Sequence, residues 1–264
     1  MDKIIIPMSY MGSGSSAVTD LLREYEGINT KNSDFEYVFL YAPDGLFDLE
    51  YKLLYNNNAI RSDEAVKSFR KLMKKLYIYG GWGIANYKEK ISQNFMNIVD
   101  SYLDSIITSK YSGVWYYHQK PSKIAWFIRI IKRVIFKKTA KLKQVQLEMS
   151  MVSSDDFYEK SRQFIVDVIK QISDTEENIV LDQLLLPHNL NLIDNYKMDG
   201  LLPIIVSRDP RDVFIMNKYF WKPRNQEVPY PTDVKTFCNY YKMMRENEKK
   251  TETLTLRLNF EDLV

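Results

Sequence analysis

The stretch SYMGSGSSAV, residues 9–18, decides how this chain is read. It follows KIIIPMS (3–9), a short, β-branched, bounded run that reads as a buried strand. It precedes a helical pattern in which Val18, Leu21, Leu22 and Tyr25 share one face, Ser15 or Ser16 can cap the start, and Gly27 marks the stop. Strand, glycine-rich turn and helix form the opening of a nucleotide-binding α/β fold. Gly12 and Gly14 let the backbone turn sharply and approach a ligand closely. The N–H groups of residues 13–17 then point into the turn at a helix N-terminus, where free donors and the positive end of the helix dipole favour an anion. Ser13, Ser15 and Ser16 add hydroxyl donors. The lysine of the triphosphate loop GxxxxGK[ST] is missing, which argues against ATP or GTP hydrolysis. Gly12-x-Gly14-x-x-Ala17 also meets the loose dinucleotide form GxGxx[GA], yet no clean second strand ends in an acid about twenty residues on.

Outward from the loop, strands and helices alternate. EYVFLYAPDGLFDLEYKLL (36–54) reads as a short strand, a Pro43-Asp44-Gly45 turn and an acidic-aromatic segment. Ser62 is placed to cap a helix running to about Tyr77, and helical periodicity returns over about Asn86–Ile107 and Ser154–Ser173. NIVLDQ (178–183) reads as a strand ending in a carboxylate, and LLPIIVS (201–207) as another, followed at once by RDPRDVF with Pro210 in the first turn of a helix. DVKTFCNYYKMMREN (233–247) is helical with Cys238 expected on the core face, and TLTLRLNF (253–260) is a last strand. The pattern predicts an α/β fold: a parallel sheet flanked by helices, with right-handed crossovers. Residues 1–264 read as one domain with a helical insertion at about 60–175.

Composition narrows the function. The single cysteine excludes an internal disulfide framework, and a net charge of +3 gives no sign of nucleic acid. No apolar run is long enough to cross a membrane, and MDKIIIPMSYMG lacks the apolar length of a signal peptide, so a cytoplasmic protein is expected. The 19 tyrosines suit stacking on a sugar or base, or packing in the core. Charge is placed unevenly. Ser105–Leu147 contains no Asp or Glu and ten Lys or Arg, which leaves the rest of the chain at −7. Within it, KIAWFIRIIKRVIFKKTAKLK (123–143) forms an amphipathic helix with a cationic face. That face can close over an anionic donor, touch an anionic membrane as a peripheral contact, or bind an acidic polymer.

The second anchor is IIVSRDPRDVF (204–214), where a strand delivers Arg208 to its C-terminal edge. Arg208 is a permanently charged fork suited to phosphate, while Arg211 and Asp212 read as structural. Taken together, Ser13-Gly14-Ser15-Ser16 after the first strand resembles the 5′-phosphosulfate loop of the PAPS-dependent sulfotransferases, whose pattern is S-G-T-T. SRDPRDVF resembles their 3′-phosphate motif, LRLNFEDLV (256–264) their strand and Y-E-D-L, and VLDQLLLPHNL (180–190) the D-K-x-P segment of carbohydrate sulfotransferases. The four anchors occur in the family's order, whereas about 30–175 matches only loosely. The resemblance implies a P-loop NTPase-like sheet and 3′-phosphoadenosine 5′-phosphosulfate as co-substrate, without a metal. It also implies a glycan hydroxyl as acceptor, as in enzymes that sulfate bacterial cell-surface polysaccharides.

The chain departs from that family at defined places. The family's Lys or Arg before S-G is Gly12 here, with Lys120, Lys123 and Arg211 as candidate replacements. The family's 3′-phosphate serine, eight residues past the Arg, is Met216, with Asn217 the nearest polar alternative. The family's C-terminal Gly/Lys/Arg loop is not found before Val264. Sulfuryl transfer to a hydroxyl needs a general base. Asp182 matches the carboxylate position of the glycan members and is the first candidate, His188 the second and His118 a distant third. Asp44, Asp48 and Glu50 either line an acceptor cleft or belong to a packed loop. The rival class is a non-catalytic member of the same fold that binds an adenosine phosphate or a glycan.

Overall fold

The computed structural model describes residues 3–31, 35–78, 85–115, 123–136, 144–173, 178–220 and 230–263. Its elements begin with β1 (Ile4–Ser9), α1 (Ser15–Leu22), β2 (Ile28–Asn29), α2 (Leu46–Glu50), α3 (Ala59–Ile78), α4 (Tyr87–Lys90) and α5 (Phe95–Ile106). They continue with β3 (Ser109–Gly113), α6 (Lys123–Phe136), β4 (Val145–Met149), α7 (Ser154–Lys170) and β5 (Asn178–Val180). The last are β6 (Leu201–Ser207), α8 (Pro210–Ile215), α9 (Val234–Glu246) and β7 (Leu256–Asn259).

Five strands form a parallel sheet in the order β2-β5-β1-β6-β7. Alternation along each strand divides its side chains between two cores. Ile4, Ile6 and Met8 join Ile179, Leu181 and Ile205 on the face covered by α3, α5 and α7. Ile5, Val180, Ile204 and Val206 meet Val18 of α1 on the other. A parallel sheet buried on both faces reads as continuous apolar runs, which is why KIIIPMS and LLPIIVS stand out. Pro7 lies in the central strand, where it has no N–H to give to a ladder. Its carbonyl accepts from Gln183 N on the β5 side at 2.9 Å, so its nitrogen faces the same side, where β5 has already ended at Val180.

The order of strands positions the site. The chain leaves β1 toward β2 on one side, and β6 and β7 build on the other. Neighbouring strands β1 and β6 therefore send their connections in opposite directions. The crevice at their carboxyl ends is the topological switch point, where open α/β sheets bind ligands.

The structure corrects several expectations. Residues 36–40 are buried chain without strand pairing, and the edge strand is Ile28–Asn29 instead. Leu21 and Tyr25 are exposed, so α1 packs through Val18 and Leu22. The expected helix over 86–107 is broken into α4 and α5. Helix α3 starts at Ala59, ahead of Ser62, because Asn58 Oδ1 accepts from the N–H groups of Ile60 and Arg61, both at 3.1 Å. Ser62 and Asp63 serve a tertiary role: Ser62 Oγ accepts from Ser150 N at 2.7 Å, and Asp63 Oδ1 from Glu148 N at 2.8 Å. They seat an antiparallel hairpin of β3 and β4, in which SKYSG is polar throughout while VQLEM alternates apolar and polar residues. Cys238 is exposed, since α9 packs inward through Phe237, Tyr240, Tyr241 and Met244.

Candidate functional site

Four adjacent strands end at one place. Asp182 lies two residues beyond β5, the Gly/Ser loop follows β1, Arg208 follows β6, and Phe260 follows β7.

The loop turns through three left-handed residues, Met11 (φ 46), Gly12 (φ 81) and Gly14 (φ 103). Two anchors hold this conformation. Ser13 is buried and directs both its N–H (2.9 Å) and its hydroxyl (2.5 Å) to the Tyr10 carbonyl. The buried amide of Asn217 donates to the carbonyls of Met11 (3.0 Å) and Val213 (2.9 Å), tying the loop to the π-helical turn that prolongs α8. Tyr10 is fixed in turn, its hydroxyl on Glu248 and its ring 4.8 Å from the Arg245 guanidinium. The structure thus engages Ser13 and Asn217 in holding the loop. Gly14, rather than Ser15 or Ser16, occupies the N-cap of α1, and no side-chain hydroxyl caps the helix. The N–H groups of Gly14, Ser15 and Ser16 therefore lack an intrahelical acceptor and gather at the positive end of α1, with Gly12 and Ser16 open to solvent.

Both loop glycines have a steric reason beyond φ. A Cβ on Gly12 would stand 2.6 Å from Met216 Cε, and one on Gly14 would stand 2.4 Å from Phe260 Cδ2. The same two side chains hold Arg208. Its guanidinium lies 4.4 Å from the Phe260 ring centroid, and Nη1 is 4.0 Å from Met216 Sδ. Arg208 Nε is buried with no hydrogen-bond partner among the described residues. Arg208 is thus brought against the loop with no ion pair among the described residues, although its charge helps to lower the Glu261 carboxyl nearby. Arg211 differs: it is 85% exposed and closes on Asp209, whose carboxylate caps α8 and is held at about 2 by that guanidinium and by the Arg211 N–H. The Asp209 N–H donates to Glu261 at 2.8 Å, which fastens the turn carrying Phe260 to the end of β6.

Asp182 closes the floor. It is buried, and burial pushes its carboxyl up to about 7, with the nearby charge of Glu36 adding to the shift. The nearby hydroxyl of Ser15 pulls the other way, while Oδ1 has no partner among the described residues. Ser15 therefore sets the loop beside the carboxylate that follows β5. Segment 35–41 packs beside them. Tyr37 N donates to the Asp182 carbonyl at 3.2 Å, and Gln183 Nε2 donates to Glu36 at 3.2 Å. Burial and the charges of Glu36 and Asp182 hold the Tyr41 hydroxyl well above its usual range. His188 is half-buried, which lowers its pKa, and no described contact joins it to Asp182.

Segment 42–54 folds as a turn, α2 and most of a π-helical turn (Tyr51–Tyr55), packed through Leu46, Phe47, Leu49 and Leu53. Glu50 is buried and accepts from the hydroxyls of Tyr158 and Tyr196, both at 2.7 Å, while Asp48 accepts from Asp44 N at 2.7 Å. His118 and Lys120 lie outside the described residues, and Lys123 begins α6. Two surface clefts, of about 480 Å³ between α5 and α7 and about 780 Å³ beside Asp194 and Tyr196, include none of the loop residues, Asp182 or Arg208.

Sequence reasoning did not single out Glu36, Tyr41 or Phe260 as site residues. The first two sit in an aromatic run that reads as strand. Phe260 was visible only as the end of the last strand. Comparisons of the chain with protein-family models, with curated proteins and with solved structures find no match.

Proposed function

We propose that this chain is a P-loop-fold sulfotransferase that moves a sulfuryl group from 3′-phosphoadenosine 5′-phosphosulfate to a hydroxyl of a glycan, in cell-surface polysaccharide biosynthesis. One observation carries the reading. A loop with open N–H groups and an arginine that makes no ion pair among the described residues lie at the ends of neighbouring strands, beside a buried carboxylate whose pKa is near 7. A nucleotide with two separate phosphate positions meets both cationic features. The free N–H groups at the start of α1 hold the 5′-phosphosulfate, and Arg208 holds the 3′-phosphate. In the transfer, the acceptor oxygen attacks sulfur in line and the bond from sulfur to the 5′-phosphate oxygen breaks. The hydroxyl proton passes to the Asp182 carboxylate, and adenosine 3′,5′-bisphosphate leaves. A carboxylate with a pKa near 7 is a far better base than an ordinary aspartate. His188 is the second candidate for that role.

A non-catalytic, ligand-binding member of the same fold is the second reading, and two observations favour it. Gly12 is held at φ 81, where a side chain is strained, and a Cβ there would also have to displace the Met216 methyl, so the loop disfavours the family's cation at that position. The Asn217 amide is already engaged by two carbonyls.

Calorimetry with adenosine 3′,5′-bisphosphate, AMP and NAD tests donor binding, and transfer of labelled sulfuryl from the donor to a glycan pool tests catalysis. The proposal expects selective bisphosphate binding that Arg208→Ala weakens tenfold or more, since a charged hydrogen bond contributes ~1.5–3 kcal/mol. Equal binding of AMP and the bisphosphate would sink the donor assignment. Selective binding without transfer would move the second reading ahead.

A further inference from the structure

Helix α6 is inserted at the tip of the β3–β4 hairpin, between Gly113 and Val145, which pair in register. At about 100° per residue, Ile124, Phe127, Ile128, Ile131, Val134 and Ile135 form one face of roughly 120°, and Trp126 widens it. All seven side chains are exposed, Ile124 at 75% and Val134 at 71%. Lys132 and Arg133 stand at the two edges of this apolar face. The helix is 14 residues long, about 21 Å, and so cannot cross a hydrocarbon core of ~30 Å. Among the described residues no helix is long and apolar enough to span a membrane.

We propose that α6 lies in the interface of a bilayer containing anionic lipid, its apolar face toward the acyl chains and Lys132 and Arg133 at the level of the head groups. Charge selects this occupant. The segment from Ser105 to Leu147 has ten basic residues and no acid. Two copies meeting through α6 would set those charges against each other with no carboxylate in the segment to offset them. A soluble polyanion would neutralise the charge and leave the apolar face in water. An anionic bilayer answers both features, and it repels the remainder of the chain, which carries −7. The attraction and repulsion together orient α6 toward the surface.

The test uses the full chain and vesicles of phosphatidylcholine, alone or mixed with phosphatidylglycerol, read by co-sedimentation. Binding is expected to be at least tenfold stronger with phosphatidylglycerol and to fall with salt. Phe127→Glu and Ile131→Glu should each weaken it by ~tenfold or more. Lys132→Glu should weaken binding to the mixed vesicles severalfold and leave binding to pure phosphatidylcholine unchanged. These side chains are exposed, so circular dichroism and thermal melts of the variants should match the wild type. Equal binding to both vesicle types, or none, would overturn the proposal. So would a concentration-dependent dimer lost in Phe127→Glu, or binding to a soluble polyanion such as heparin without binding to vesicles. None of these readouts depends on sulfuryl transfer.

Discussion

Replacing Gly14 by alanine tests the architecture of the loop, because two separable costs meet there. The backbone sits at φ 103, and an L-residue held in left-handed space loses ~1–2 kcal/mol. The new Cβ would also lie 2.4 and 2.7 Å from two carbons of the Phe260 ring, and forcing packed side chains aside costs a further ~1–3 kcal/mol. The expected loss is therefore ~2–5 kcal/mol, at ~2–4 °C of melting temperature per kcal/mol for a chain of this size. Gly27→Ala is the internal control. Its φ is 76 and nothing lies within 4 Å of its added Cβ, so only the backbone cost applies. Denaturant titration of both variants, of Phe260→Ala and of Gly14→Ala/Phe260→Ala completes a double-mutant cycle. In the double variant the steric part should vanish, and the residual loss from the glycine change should approach that of Gly27→Ala. Gly14→Ala should also weaken bisphosphate binding, because the displaced ring is the one beneath the Arg208 guanidinium. If Gly14→Ala is no worse than Gly27→Ala and the cycle is additive within ~0.5 kcal/mol, Phe260 does not seat the loop.

Other outcomes follow from the same contacts. Asp182 titrates near 7 in the folded chain and near 3.8 when unfolded, so its contribution is fully present below about 4 and is lost as pH rises toward 7. Asp182→Asn, which cannot ionise, should gain stability relative to the wild type between those limits, by up to ~4 kcal/mol, as read in melts across pH. A gap that stays constant from pH 4 to 8 would show that Asp182 is not the titrating group. Transfer activity, if Asp182 is the base, should rise with pH through about 7 and lose that rise in the Asn variant. Phe260→Leu keeps much of the apolar volume beneath Arg208 and removes the ring, so bisphosphate affinity should fall by less than in Arg208→Ala; an equal or larger loss would contradict direct phosphate contact by Arg208. Asp63→Ala strands the N–H of Glu148 and should cost ~1–3 kcal/mol in denaturant titration, with bisphosphate binding unchanged because the hairpin lies apart from the loop.

Much of the sheet was legible in the sequence because its strands are buried on both faces. Uninterrupted branched runs such as Ile4–Ile6 and Ile204–Val206 have few other uses in a chain of this charge. Local chemistry also announced Pro210 at the start of α8 and the turn at Pro43-Asp44-Gly45. Of the β3–β4 hairpin, polar SKYSG gave no sign and VQLEM only a short alternation, because what seats β4 is Ser62, Asp63 and Arg70 on α3, partners between 78 and 88 residues away. The same burial removed Ser62 from the helix cap it resembled. For the site, the sequence by itself offered two glycines, three serines and an arginine at a strand end as residues that could face an anion, and a carboxylate at another strand end as a candidate base. Only the tertiary structure decided what each does. The strand order β5-β1-β6-β7 brings four strand ends together, so that Phe260 and Met216 hold Arg208 against the loop and Ser15 lies beside Asp182. Spacing along a chain limits what a residue can offer. Burial and neighbours from distant segments set whether its hydrogen bonds are spent within the fold, as with Ser13 and Asn217, or left open, as with Arg208 Nε.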